Sequence, residues 1–173
     1  LVDLGFMSPN GVTGKLDDHT SVATIAFQKW SGLQRDGVLG PQTISKLLVA
    51  ARPQPVHPAA GRKVEVLLDR QVALLEQDGK VLRVIHISTG RPGYNTPTGF
   101  FHVYRKERMS WSVPFEVWMP WASYFTGGIA FHEYPYVPAY NASHGCVRVN
   151  RYDAPLMYAF AGYGTSVHVL GVS

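Results

Sequence analysis

The sequence predicts an α+β, multidomain chain: a small N-terminal helical bundle followed by a mainly β domain of sandwich or barrel type. Three observations carry that prediction. Apolar residues recur with a helical period before residue 51. Prolines then crowd one short stretch, "ARPQPVHPAAG" at Ala51–Gly61. Beyond it, short runs rich in branched residues alternate with turn residues.

Residues 1–51 open on "LVDLGF" and contain a short repeat: "GVTG" at Gly11–Gly14 returns as "GVLG" at Gly37–Gly40. Each copy leads into a helix-like run. After the first, Val22, Ile25, Ala26, Lys29, Trp30 and Leu33 follow a 3.6-residue period, and Lys29 is the one polar member. Asp17 or Asp18 suits the N-cap of that helix. After the second copy, Pro41 suits the first helical turn, and Ile44, Leu47, Leu48 and Ala51 form an apolar stripe. Residues 52–61, with Pro53, Pro55 and Pro58, read as an extended, semi-rigid linker that sets the reach between two parts.

Residues 62–173 read as the second domain. Its strand-like runs are "RKVEVLLD", "QVALLE", "VLRVIHIS", "FFHVY", "GGIAFHEY", "CVRVN" and "TSVHVL". "DGK" at Asp78–Lys80 is a hairpin turn signal. One helix is expected near Asp153–Phe160, capped by Asp153 and closed by Gly162. Trp111, Phe115, Trp118, Trp121, Tyr124 and Phe125 are expected to serve as core or groove wall, with a substrate lid as the alternative.

The bulk numbers bound the function. With 46% hydrophobic residues in a chain of 173, there is enough apolar material for a core. No run approaches the ~20 apolar residues of a membrane helix. A net charge of +4 favours anionic surroundings such as nucleic acid, a membrane surface or an acidic cell-wall polymer. Nucleic acid is not expected, because Lys and Arg do not cluster. The chain begins at Leu1 with no signal-peptide pattern, so it reads as a trimmed or mature fragment. A single cysteine excludes an intrachain disulfide and a cysteine-only zinc site.

That cysteine, Cys146, stands in "NASHGCVRV". If the stretch is extended, His144, Cys146 and Arg148 share a face. Two potentially positive groups beside a thiol favour the thiolate, which is the attacking form. Gly145 permits a close backbone approach or an unusual conformation. A nucleophilic thiol also needs a base in hydrogen-bond reach. His19 and His57 lie in the small part and the linker. His86, His102 and His168 lie inside strand-like runs, where a structural role is expected. His132 and His144 remain as the two candidates. A strand, a loop through Pro135 and Pro138, and a return strand would bring His132 to Cys146.

Two stretches resemble known families. "AFQKWSGLQRDGVLGPQTISKLL", Ala26–Leu48, resembles the peptidoglycan-binding domain found beside cell-wall enzymes, although only "LVDLGF" stands where that family has its first helix. "GGIAFHEYPYVPAYNASHGCVRV" resembles the active-site signature of the L,D-transpeptidases, and "TGRPGYNTPTGFFHV" resembles their "TPTG" segment. The second resemblance implies a mainly β catalytic domain that crosslinks peptidoglycan stem peptides through a cysteine thioester. It implies Cys146 as nucleophile, His132 as general base and His144 beside them in the catalytic group. Ser143 and Gly145 would shape the pocket, with the Gly145 and Cys146 amides as oxyanion donors. Arg148 would hold a substrate carboxylate or make a structural ion pair. Glu133 stands where the family often has glycine or serine.

The resemblances further imply a bacterial, extracytoplasmic protein, secreted or wall-associated; the oligomeric state is not legible in the sequence, and a monomer is the expectation. Its partners would be stem peptides and glycan strands, with β-lactams of the carbapenem class as inhibitors. No cofactor or metal is expected. Water as acceptor would make the enzyme an L,D-carboxypeptidase instead. Two other classes stay open. One is a zinc hydrolase using His132, His144 and Cys146, which lacks an HExxH pattern. The other is a non-catalytic wall-binding protein.

Overall fold

The structure, a computed structural model, describes residues 1–172. Among them, three α-helices accompany nine strands joined in one curled sheet. Among the described residues no helix is long and apolar enough to cross a membrane.

Helix α1 spans Asp18–Ser31. Asp17 is its N-cap, with the carboxylate accepting the Thr20 N–H at 2.9 Å. Gly32 closes it in the left-handed conformation. Helix α2 spans Pro41–Leu48, with proline in its first turn where no amide is needed. Its buried face differs from the expected stripe: Ile44 and Leu48 are exposed, while Thr43 is buried and Leu47 and Ala50 pack inward. Thr43 turns inward because its hydroxyl accepts from the buried Gln28 amide at 3.2 Å.

The strands are β1 (Arg62–Leu67), β2 (Val72–Gln77), β3 (Lys80–Ser88), β4 (Gly99–His102), β5 (Arg105–Ser112), β6 (Val117–Thr126), β7 (Ile129–Glu133), β8 (Val147–Val149) and β9 (Ser166–Leu170). Asp78 and Gly79 both take positive φ, so "DGK" is a tight turn between β2 and β3, as the residues predict. The third helix, α3, is Ala154–Phe160. Asp153 holds its N-cap position without capping it, because that carboxylate accepts from Asn150 at 2.9 Å instead.

The sheet order is β4-β9-β1-β2-β3-β8-β7-β6-β5. Neighbours are antiparallel except β1/β9 and β7/β8, which run parallel. The sheet curls until its two flanks meet: the Phe101 ring on β4 packs against the Phe125 ring on β6, with centroids 5.8 Å apart. Inside the curl lies the main core, with Val64, Val66, Ile85, Ile87, Phe125, Phe131, Val147 and Val149. The β5–β6 hairpin carries the aromatic-rich segment, and β6 is the longest strand, at 10 residues.

The helical part does not hang from a tether. Phe6, Ala26 and Phe27 form a second core with Leu67, Val72, Leu74, Val81 and Val84 of the sheet. Arg70 donates to Trp30 O at 2.9 Å and lies over the Trp30 ring. Residues 52–61 are likewise fastened. The Val56 and His57 amides donate to the buried Glu65 carboxylate at 2.7 and 2.8 Å. Lys63 lies 2.9 Å from Glu65 and 3.0 Å from Glu76. Burial, with Glu65 beside it, pushes the Glu76 carboxyl up to about 8, so it holds its proton at neutral pH. The prolines extend the chain, but the amides between them find a buried acceptor, so this segment sets no adjustable reach.

Candidate active site

Strand β8 lies between β3 and β7, with Ile87 opposite Val149 and His132 opposite Arg148. Its alternation sorts the motif. Val147 and Val149 enter the core. Arg148 takes the other face and, with Cys146 and His144 from the turn before the strand, lines a cleft of about 240 Å³. His132 and Ser143 line the same cleft, closed by Tyr134, Phe115, Val117 and Met119. The cleft thus gathers Cys146, His132, His144, Ser143 and Arg148. The approach differs from the return strand expected: β7 and β8 run parallel, so residues 134–146 must cross back before β8 begins.

The strand begins only at Val147, after a sharp turn. Gly145 sits at φ +115°, a region hostile to a side chain, and its N–H donates to Ser143 Oγ at 3.0 Å. Ser143 Oγ donates in turn to Cys146 O at 2.5 Å. The Gly145 amide is therefore committed within the turn, against the expectation of a free oxyanion donor. Thr96, of "TPTG", closes the turn from outside: its hydroxyl accepts from Gly90 N–H at 3.0 Å and donates to Gly145 O at 2.7 Å. Gly90 admits nothing larger, since a Cβ there would lie 1.9 Å from Tyr94 O. Neither Thr96 nor Gly90 is marked out by periodicity or charge; the "TPTG" motif and the glycine upstream of it are the signal that the sequence carries.

Electrostatics alter the reading of the thiol. Cys146 packs against the small cluster of Met119, Ala122, Tyr124 and Ala130. That burial raises its pKa above the ordinary thiol value, and the Ala130 amide and the Arg148 charge only partly offset it. The thiol therefore rests protonated, contrary to the thiolate expected from its neighbours. His144 adds no charge, because partial desolvation and then Arg91 and Arg148 hold its pKa down. Its ring stacks on Phe115 at 4.5 Å and meets Tyr94 edge-on at 4.8 Å.

His132 is 4% exposed, and burial lowers its pKa to about 4. Glu133 O lies 2.8 Å from Nδ1. A carbonyl cannot donate, so Nδ1 carries the proton and Nε2 is left as the free basic atom. Arg148 lies over the Tyr134 ring at 4.0 Å, and among the described residues no carboxylate pairs with it. No group of three His, Cys, Asp or Glu side chains converges to hold a metal among those residues. The other histidines lie apart from the cleft lining.

Two family models match the chain. One, described as the L,D-transpeptidase catalytic domain, matches residues 61–169. The other, a peptidoglycan binding domain, matches residues 1–47. No curated protein sequence matches. Among solved structures, an L,D-transpeptidase from Xylanimonas cellulosilytica is 36% identical over 97% of this chain and 88% of its own, with a TM-score of 0.88. An L,D-transpeptidase from Stackebrandtia nassauensis is 28% identical over 91% and 80%, with a TM-score of 0.65. L,D-transpeptidase 3 from Mycobacterium tuberculosis, in complex with a faropenem-derived adduct, shares the fold: 23% identity over 64% and 60%, TM-score 0.59.

Proposed function

Because the chain belongs to the L,D-transpeptidase family, we propose that it is a cysteine acyltransferase that crosslinks peptidoglycan stem peptides outside the cytoplasm. The observation that carries this reading is one cleft lined by the sole thiol and by a buried histidine whose Nδ1 is tied to a carbonyl.

Both groups rest neutral, so the proton moves when substrate arrives. His132 Nε2 takes the Cys146 proton as Sγ attacks the carbonyl carbon preceding a terminal D-residue. The Cys146 amide is the donor left for the oxyanion, since Gly145 N–H is engaged. The His132 imidazolium then protonates the departing amine, and a thioester remains. An amine from a second stem attacks that carbonyl, His132 removes its proton, and the thiolate leaves and regains a proton from His132. Arg148, which has no carboxylate partner among the described residues, is assigned to a stem carboxylate. His144, between Tyr94 and Phe115, forms a wall of the donor pocket. Residues 1–51 and 62–173 are assigned as wall-binding and catalytic domains around the segment 52–61. Carbapenem-class β-lactams would acylate the same sulfur; an L,D-transpeptidase of the same fold in complex with imipenem, a carbapenem, supports that reading.

Mass spectrometry of products from a donor and an acceptor stem tests the assignment. A crosslinked product is expected. Trimmed donor alone would make the enzyme a carboxypeptidase, and neither product from folded protein would overturn both.

The pH profile follows from His132. Below its pKa the imidazolium cannot accept the thiol proton, so activity falls as pH falls through that value. The acid limb of kcat/KM is expected near pH 4, because burial sets the His132 pKa at about 4. A limb near 6.5, the ordinary histidine value, would show that a solvated histidine supplies the base.

A further inference from the structure

The one polar residue on the apolar stripe of α1 is buried between the helices and the sheet. Lys29 is 1% exposed. Its ammonium lies 2.9 Å from Gln71 O, 2.7 Å from Ile87 O and 2.7 Å from His86 Nδ1. His86 Nε2 lies 2.8 Å from Val137 O. Four contacts need four N–H protons, which this pair has only when it holds one positive charge. Burial presses Lys29 and His86 toward their neutral forms. Among the described residues no carboxylate offsets that charge. The acceptors therefore hold it in place, and one of them belongs to the connection between His132 and Cys146.

Other bonds run the same way. Arg35 Nη1 donates to Ala139 O at 3.1 Å. Gln71, whose carbonyl accepts from Lys29, uses its side-chain amide on Thr89 N and Oγ1 at 2.8 and 2.7 Å. Thr89 O then accepts the Ala142 and Ser143 amides, both at 2.9 Å. Two routes thus lead from Lys29 to the segment that ends in Cys146, one through His86 and one through Gln71. Arg35 adds a direct contact.

We infer that the N-terminal helices are a positioning element of the active centre: Lys29 acting through His86, and Arg35 directly, set the connection 134–142 and with it the placement of Ser143–Cys146. The inference goes beyond wall attachment, and it rests on the reading of Cys146 as nucleophile. Lys29, His86 and Arg35 touch no substrate in this scheme; they act through backbone carbonyls.

The test uses full-length protein with Arg35→Ala, His86→Leu and His86→Gln. Three readouts are taken: the unfolding temperature, kcat and KM on a soluble donor stem, and the iodoacetamide alkylation rate of Cys146. Displacements of ~1 Å cost reactions up to ~100-fold, so Arg35→Ala and His86→Leu should each lower kcat about tenfold or more. KM should change less, and the alkylation rate should shift as well. His86→Gln keeps a donor for Val137 O and should recover most of kcat. Arg35→Ala sits at a half-exposed site and should fold normally, so it decides the matter if His86→Leu does not fold. Unchanged kcat and alkylation in Arg35→Ala would overturn the inference. So would losses that follow unfolding temperature alike in all three variants, His86→Gln included. If wild-type protein were inactive on stems, the proposed function would fail. The alkylation rates would still decide whether these residues position the sulfur.

Discussion

Cys146→Ala should abolish turnover on stem peptides and leave the fold standing. The side chain is small and half-buried at the rim of a minor cluster, so its loss should cost no more than about 1 kcal/mol of stability. The chemical loss is of another order. Without the sulfur no thioester forms, and nucleophile deletions cost on the order of 10³-fold or more. Cys146→Ser should be nearly as inactive. His132 must already remove a proton from a thiol whose pKa is raised by burial, and a hydroxyl in that place is far less acidic. The checks are product formation by mass spectrometry and thermal unfolding of each variant. A serine variant retaining more than about a tenth of wild-type turnover would mean that thiol chemistry is not central.

Deleting residues 1–60 should destroy the catalytic domain as well as wall attachment. A tethered anchor, the arrangement that a semi-rigid linker at 52–61 implies, would be dispensable for a soluble stem peptide. The packing reverses that expectation. Removal would uncover Leu67, Val72, Leu74, Val81 and Val84, all now buried against the helices. Each such side chain is worth roughly 1.5–3 kcal/mol when fully buried. Five together reach roughly the whole stability of an ordinary domain, about 5–15 kcal/mol. The truncated protein should aggregate or unfold at room temperature and fail to be acylated. Circular dichroism and intact-mass acylation of both forms provide the measurement. A soluble truncated form, acylated at the full-length rate, would show that the sheet folds without its helical cover.

Local signals in the sequence translated well where a short-range cause governs the outcome. The Asp17 cap, the turn at Asp78–Gly79 and the positive φ of Gly145 each need only the residue and its neighbours. Cys146 and His132 could be paired in one cleft because the motif and the strand pattern pointed to the same place. The β5–β6 hairpin was harder to read. Pro114 and Pro120 punctuate it, and Trp121 takes a left-handed φ of 58° inside β6, so neither a clean alternation nor a standard turn is visible. Burial misled in two places. Ile44 and Leu48 look like a stripe but face solvent, because the short α2 meets its neighbours through Thr43 and Leu47. The charges around Cys146 are present as expected, but desolvation outweighs them. Lys29 was visible as the one polar residue on an apolar face. Its acceptors, far away in sequence, were not.

The connection 134–146 is fastened through main-chain atoms, and that has a consequence for how the protein can diversify. His86, Arg35 and Ser88 grip the carbonyls of Val137, Ala139 and Tyr140, and a carbonyl is the same whatever residue bears it. The side chains of Tyr136 and Tyr140 project outward, 63% and 60% exposed. Substitutions there can accumulate with the fastening intact. Deletions have no such freedom. Parallel neighbours need a crossover of roughly a dozen residues or more, and the segment between β7 and β8 is already near that minimum. The loop is thus open to changes of spelling and closed to changes of length, and insertions rather than deletions are the form in which its relatives should be found to vary.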